Sequence, residues 1–430
     1  MVKFRASMAA NPIAVDFDGA VLGNGGIYSC HRTGVYRYVL ELLRGLSDRP
    51  DVDLNVLSSG RGRWNDLATR YWVRREIPQL ALTYKHIRGR FPMPRRLLDA
   101  ATHLGFACKN SGIVSEQVLA GSLQGLGKGL MSDRSGHLRD GVYHSPAHAL
   151  PDWAKGTPRL LTVHDMIPVL FPQWFPECRS FRKIIASIDI ERDWVVCDSH
   201  STRGDFLTHT GMSSDRVFVS HLAPARGFHP VPDDQTRRSR LESIGVSGPF
   251  VLCVATLEPR KNLANLLKAW GILRSHRRGD GLRLVIAGAK GWKTQAMEQA
   301  LESMGSSREE IVMTGFVPDG ILPDLYSACE VFCFPSLYEG FGLPPLEALA
   351  CGAVVHCVRG SSLPEVLGDA GIWSESGTPE DLADGLERAL ALRGATRGPL
   401  SASLERAGLF TWDACVSNHA EIYARIASAD

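Results

Sequence analysis

Glu339 and Glu347 lie in the run Phe334-Pro-Ser-Leu-Tyr-Glu-Gly-Phe-Gly-Leu-Pro-Pro-Leu-Glu-Ala-Leu-Ala-Cys-Gly352. The run reads as a strand end, a glycine loop and a helix opened by Pro344 and Pro345, because proline suits a first helical turn where its missing N–H would be unpaired anyway. Gly340 and Gly342 leave the loop N–H groups open to a close ligand, and the positive end of a helix suits phosphate. At the strand end the Glu339 carboxylate can accept hydrogen bonds from sugar hydroxyls, and Glu347, in the first helical turns, can hold a ribose diol. A plainer reading stands beside this one: Glu347 complements the helix dipole and Glu339 is a solvated loop residue.

Other chemistry-bearing residues fall at similar junctions. Arg260 and Lys261 follow a strand ending Val254-Ala255-Thr256 and precede a helix whose Leu263, Leu266, Leu267 and Trp270 recur at core-facing spacing. Cations at a helix start oppose its dipole, so an anion such as a diphosphate would compensate them; a solvated surface pair is the alternative. His164 and Asp165 end the strand Leu160-Leu-Thr-Val. A histidine there can equally cap a helix or bond a backbone carbonyl. The turn Asp198-Ser199-x-Ser201 is polar, as many helix caps are. Near the start, Gly23-Asn-Gly-Gly26 and His31-Arg-Thr-Gly34 read as a glycine loop entering a helix with Thr33 as its cap, or as a flexible turn without a ligand.

The elements that must position these groups alternate along the chain. Strand-like runs at Ile13 to Phe17, Leu54 to Leu57, Val142 to His144, Leu160 to Val163, Val195 to Cys197 and Val217 to Val219 are separated by helical patterns. Phe250 to Ala255, Leu282 to Ala287, Ile311 to Thr314, Val331 to Phe334 and Val354 to Val358 repeat the theme. Such alternation implies βαβ units on parallel sheets, and 430 residues exceed one ordinary core. The expectation is an α/β chain of two Rossmann-like, doubly wound domains, 1–230 and 231–407, joined through the proline-bearing segment around Pro230 and Pro232. Ligands bind outside the carboxyl ends of such strands, so the domains should face each other across a cleft. Residues 112–139, rich in glycine and serine, read as a loop or insertion.

Composition narrows the class. With 44% hydrophobic and 22% charged residues the chain reads as globular, and no apolar run approaches a membrane span. No secretion signal is read at the N-terminus, where Asp16 and Asp18 interrupt the one apolar stretch. Ten cysteines occur without CxxC pairs and read as reduced core residues. A net charge of +2 gives no case for nucleic acid. Between Arg61 and Lys109, basic residues interleave with Trp64, Tyr71, Trp72, Tyr84 and Phe91, a pattern suited to anionic phospholipid or a lipid-phosphate acceptor, or to a merely solvated face.

The full Glu339 to Glu347 string resembles the E-x7-E signature of glycosyltransferase family 4, the glycosyl transferases group 1, especially its bacterial mannosyltransferases. The resemblance is strong over Phe250 to Trp373, moderate over Tyr143 to Pro224, and returns at Phe410-Thr-Trp412. It implies a GT-B fold whose C-terminal segment, 408–430, crosses back as a helix onto the first domain. By resemblance, Glu339 binds the donor hexose, Glu347 the ribose, and Arg260 and Lys261 the leaving diphosphate. Gly315, Phe316 and Val317 would lie beside the base; Gly34, Gly340, Phe341, Gly342 and Leu343 would complete donor binding, the VHD-x-x-P match makes His164 a hexose contact, and the Asp198-Ser199-x-Ser201 turn resembles another cleft-lining segment of the family.

The resemblance further implies a retaining, front-face transfer. No Asp-x-Asp motif stands in a suitable place, so neither a metal nor another cofactor is expected. The donor expectation is GDP-mannose, with UDP-, dTDP- and GDP-fucose donors as alternatives. The acceptor would be a glycan, a lipid-linked sugar or a protein. A cytoplasmic chain, peripheral on the inner membrane face, is the expected setting. A phosphorylase or epimerase on a similar fold, or a nucleotide-sugar-binding scaffold, remain competing classes; the phosphorylase is disfavoured by length and by the absence of a pyridoxal-type site.

Overall fold

The computed structural model describes residues 11–22, 34–57, 63–80, 95–110, 140–276, 280–396 and 398–429, with isolated positions between 113 and 138. The loop Gly23 to Gly26, the proposed cap Thr33 and most of 112–139 lie outside the described residues.

Two six-stranded parallel sheets form the molecule. The first contains β1 (Ile13–Asp18), β2 (Val52–Leu57), β3 (Gly141–Ser145), β4 (Arg159–Val163), β5 (Trp194–Cys197) and β6 (Val217–Val219), in the order β2-β1-β3-β4-β5-β6. The second contains β7 (Phe250–Val254), β8 (Arg283–Ala287), β9 (Ile311–Gly315), β10 (Val331–Phe334), β11 (Val355–Val358) and β12 (Gly371–Ser374), in the order β12-β11-β10-β7-β8-β9. Runs such as Trp194–Cys197 and Val331–Phe334 are buried at every position, as strands covered by helices on both faces must be. Edge strands such as β6, β9 and β12 are less covered. In β12 the run Gly-Ile-Trp-Ser lacks a series of β-branched residues and is mostly half-buried, so sequence pattern alone does not announce it.

Strand order reverses between β7 and β10 in the second sheet. Such a switch point opens a crevice at the strand ends, and there the chain places Arg260 and Lys261 after β7 and Glu339 after β10.

The helix Trp412–Ala427 starts at a Thr411 cap, whose hydroxyl accepts the Ala414 N–H at 3.1 Å, and returns to the first lobe. Val416 lies directly over Gly45, where an added Cβ would come within 2.3 Å of its methyl group. Beneath it runs a buried polar chain. The Cys415 carbonyl lies 2.8 Å from His419 Nδ1, and His419 Nε2 lies 2.9 Å from the Tyr38 hydroxyl. Thr162 joins Tyr38 to His144 Nε2 at 2.9 and 2.8 Å, and His144 Nδ1 meets the Tyr423 hydroxyl at 2.7 Å. Protons can be placed along the whole chain with both histidines neutral, Tyr423 donating to His144 Nδ1 and His419 Nδ1 donating to the Cys415 carbonyl. Burial drives the His144 pKa well below its ordinary value and takes that of His419 down to about 4.

The stretch expected to meet a membrane is corrected in one respect. In the helices Arg63–Glu76 and Arg95–Asn110, Tyr71 stacks on Phe106 at 4.1 Å and Trp72 is 4% exposed, so these aromatics serve the core. Among the described residues no helix is long and apolar enough to cross a membrane. The described cysteines are free; Cys108 and Cys178 are half-buried and the others buried.

Candidate active site

The lobes enclose a cleft of about 470 Å³. The second lobe lines it with Arg260, Lys261, Phe316, Val317, Glu347 and the loop from Glu339 to Leu343, and the first lobe contributes Gly34 and His164. Gly315 stands apart from the lining. It ends β9 in the left-handed region at φ 69°, and its carbonyl accepts the Gly288 N–H at 2.8 Å.

The glycine loop is seated by the opposite lobe. The Ser199 and Thr202 hydroxyls donate to the Gly340 carbonyl at 2.6 and 3.1 Å. An added Cβ at Gly340 would lie 2.0 Å from the His164 carbonyl oxygen, so the close approach of the lobes demands glycine there. Gly342, at φ 106°, turns the chain into the helix Leu343–Ala350.

Glu339 is buried at 8% exposure, which removes the solvated-loop reading. Its Oε1 accepts from Lys261 Nζ at 2.5 Å, Arg260 at 2.7 Å and the Ser336 hydroxyl at 2.5 Å. Burial alone would raise its pKa, but the two cations outweigh burial and hold the carboxyl at about 2. Burial and then Arg260 depress Lys261, against the pull of Glu339. Arg260 also grips Glu258 at 2.6 Å and the Tyr338 carbonyl at 2.7 Å. The pair is therefore not a solvated surface feature. It sits on a tight turn, Pro259–Lys261, ended by Asn262 in the left-handed region at φ 56°.

Glu347 is in the opposite condition. Burial raises its pKa to about 7, although Arg37 and the Tyr326 hydroxyl, 3.3 Å away, both favour the carboxylate. Arg37, from the helix Gly34–Ser47 of the first lobe, donates to Glu347 Oε1 and, at 2.6 Å, to Asp319. The hydrogen bond to Glu347 ties the lobes together across the cleft.

His164 Nδ1 lies 2.7 Å from Asp198 and Nε2 lies 2.8 Å from the Pro146 carbonyl. Ser199 is the cap of the helix His200–Thr210, accepting the Thr202 N–H at 3.0 Å, which leaves Asp198 to the histidine. Asp165 also faces the cleft, its pKa raised by burial against the pull of Arg260. Sequence places Asp165 beside His164 at the strand end without giving it a role, and it does not single out Arg37, Asp319 or Glu258 as site residues. The one available signal was positional, since Asp165 adjoins His164 and Arg37 lies one turn after Gly34.

Chemically, the cleft offers a diphosphate-sized set of cations already balanced by carboxylates, a glycine loop at a helix start, and acids that can accept from hydroxyls. Residues 235–407 match the family described as Glycosyl transferases group 1. O-antigen chain mannosyltransferase B of Escherichia coli is 30% identical over 295 residues, covering 66% of this chain and 74% of that protein. Serotype-specific mannosyltransferase WbdA of Escherichia coli is 30% identical over 63% of this chain, which spans 34% of that longer protein. The GDP-mannose-dependent alpha-(1-6)-phosphatidylinositol monomannoside mannosyltransferase of Mycolicibacterium smegmatis is 30% identical over 47% of this chain and 53% of its own length. Among solved structures, sucrose-phosphate synthase from Thermosynechococcus elongatus superposes with a TM-score of 0.64 at 17% identity over 97% of this chain and 100% of that one.

Proposed function

The chain belongs to the glycosyl transferases group 1 family, and on that premise we propose that it transfers mannose from GDP-mannose to a glycan or lipid-linked acceptor with retention of configuration. Glycosyl transfer is the family's chemistry; the donor, the stereochemistry and the acceptor are our reading. Support for mannose comes from the names of the relatives, of which the Mycolicibacterium smegmatis enzyme is GDP-mannose-dependent. The observation that carries the reading is the convergence, in one cleft, of Glu339 with Arg260 and Lys261 on one side and of Glu347 with Arg37 on the other.

In this scheme the Glu347 carboxylate takes the ribose hydroxyls, and the diphosphate lies over the loop Gly340 to Leu343 and the start of its helix. Phe316 and Val317 flank the base. Arg260 and Lys261 neutralise charge on the departing diphosphate without a metal, and Glu339 holds the hexose and supports positive charge developing on the ring. Acceptor oxygen bonds to the anomeric carbon as its bond to the diphosphate breaks; the electron pair stays on the diphosphate oxygen, which receives the acceptor proton. The chain would work at the inner face of a membrane without spanning it.

Thermal shifts with GDP, UDP and dTDP test the donor, because a ligand at 100-fold excess over its dissociation constant stabilises by about 2.7 kcal/mol. GDP is expected to give the largest shift. A larger shift with UDP would remove GDP-mannose from the proposal while leaving glycosyl transfer intact.

A further inference from the structure

His164 is held at both ring nitrogens by groups that accept. The Pro146 carbonyl, 2.8 Å from Nε2, can only accept, so Nε2 carries a proton. The Asp198 carboxyl, 2.7 Å from Nδ1, either accepts from an N–H or donates from an O–H. A carboxyl is ordinarily the stronger acid by more than two pKa units, about 3.9 against 6.5, so the proton rests on Nδ1. We infer that His164 is a fixed imidazolium in the cleft, that Asp198 and the Pro146 carbonyl are the positioning groups that keep it charged, and that it serves transfer as a standing positive charge.

The surroundings agree. Burial disfavours the charge on His164, yet Asp198, joined by the Pro146 carbonyl and Asp165, outweighs it and the pKa is raised. Tyr38 meets the ring edge-on at 5.1 Å and is kept neutral by burial, as is His144. Asp165, the next residue, has its own pKa raised by burial. Asp198 is thus the acid bonded directly to the ring.

The inference rests on the glycosyl-transfer reading of the cleft and adds a role to it. With both protons committed to Asp198 and Pro146, the ring is not free to hydrogen-bond a hexose hydroxyl or to act as the proton carrier. The acceptor proton goes to the diphosphate oxygen, and His164 keeps its own two. Its charge lines the same cleft as those of Arg260 and Lys261, and each of the three is balanced by a carboxylate, Asp198 for His164 and Glu339 for the other two. A charge fixed before the reaction costs no reorganisation during it.

Nitrogen-15 NMR of the full chain labelled at histidine, with the signal assigned by its loss in His164→Gln, reads the protonation state without any need for turnover. Both His164 nitrogens should be protonated at pH 7.5, and a neutral ring would overturn the inference. Asp198→Asn then tests the role. Turnover should fall by about tenfold or more, and the alkaline limb of its pH profile should move to lower pH, while the thermal shift given by the best-binding nucleoside diphosphate persists. An unmoved alkaline limb would reduce Asp198 to a structural group. A charged His164 in a protein that turns over no nucleotide sugar would instead count against the donor reading alone. If Asp198→Asn fails to fold, the NMR result on the unaltered chain decides the central point.

Discussion

Glu339 and Glu347 are separated by one glycine loop and held in opposite electrostatic states. Replacing Glu339 with glutamine leaves Arg260 and Lys261 facing each other without their shared carboxylate. Turnover should fall by about 100-fold or more, the melting temperature should drop, and nucleoside diphosphate should bind at least as tightly, because the cations are released to it. Calorimetry with the free diphosphate beside turnover with the sugar donor separates these effects; weakened binding with intact turnover would reverse the assignment. Glu347→Ala should instead weaken the diphosphate by roughly 1.5 to 3 kcal/mol. Because burial brings the Glu347 pKa to about 7, the free site is substantially protonated at neutral pH, and a diol donating to the carboxylate must drive off that proton. Affinity should rise from pH 6 to 8. Proton release, measured by calorimetry in buffers of different ionisation enthalpy, should be larger in the unaltered chain than in Glu347→Gln, a difference that cancels the ionisation of the phosphate itself.

Among the elements, the helix Trp412–Ala427 is seated by a close contact of Val416 with Gly45. Gly45→Ala would drive a methyl against the β-branched, stiff Val416, at a cost of about 1 to 3 kcal/mol. The double variant Gly45→Ala, Val416→Ala should recover part of that loss, and additive melting-temperature changes would show that the two residues do not meet. Most elements were legible from local pattern, since Leu160 to Val163 or Val331 to Phe334 can be little else than buried strands. The site was legible where local sequence carries the geometry, as in the glycine loop. It was not legible where a side chain reaches across the cleft. Nothing near Arg37 in the sequence tells that it meets Glu347 of the other lobe, and the Asp198 turn reads equally as a cleft-lining segment and as a helix cap, because the cap itself, Ser199, is its neighbour. These pairings exist only once two separately patterned lobes are brought together.

At the scale of the whole molecule, neutral buried histidines set an acid limit. His144 lies well below its ordinary pKa, His419 at about 4 and His356, inside the second lobe, at about 3, each through burial. Unfolded, each takes a proton near pH 6.5, and the folded chain does not. Stability is therefore fully present above pH 6.5 and is lost as pH falls toward the folded values, by roughly 1.4 kcal/mol per pH unit for each histidine. Glu347 and Asp165, whose pKa values burial raises, have the opposite sign and offset part of the slope. Urea midpoints should drop between pH 6.5 and 4, and His419→Asn should flatten the dependence; an unchanged dependence in His419→Asn would mean that His419 is not neutral in the fold.

The polar chain beneath the returning helix also bears on the order of synthesis. Tyr38 and His144 find partners in His419 and Tyr423, which follow them by 381 and 279 residues. While a ribosome is still making the second lobe, the first can lay down its six strands but must leave those groups, and the apolar face awaiting Val416, open to water. The first lobe to be translated is thus among the last to be sealed, and a nascent chain stopped before Trp412 would expose that unfinished face to any chaperone that recognises it.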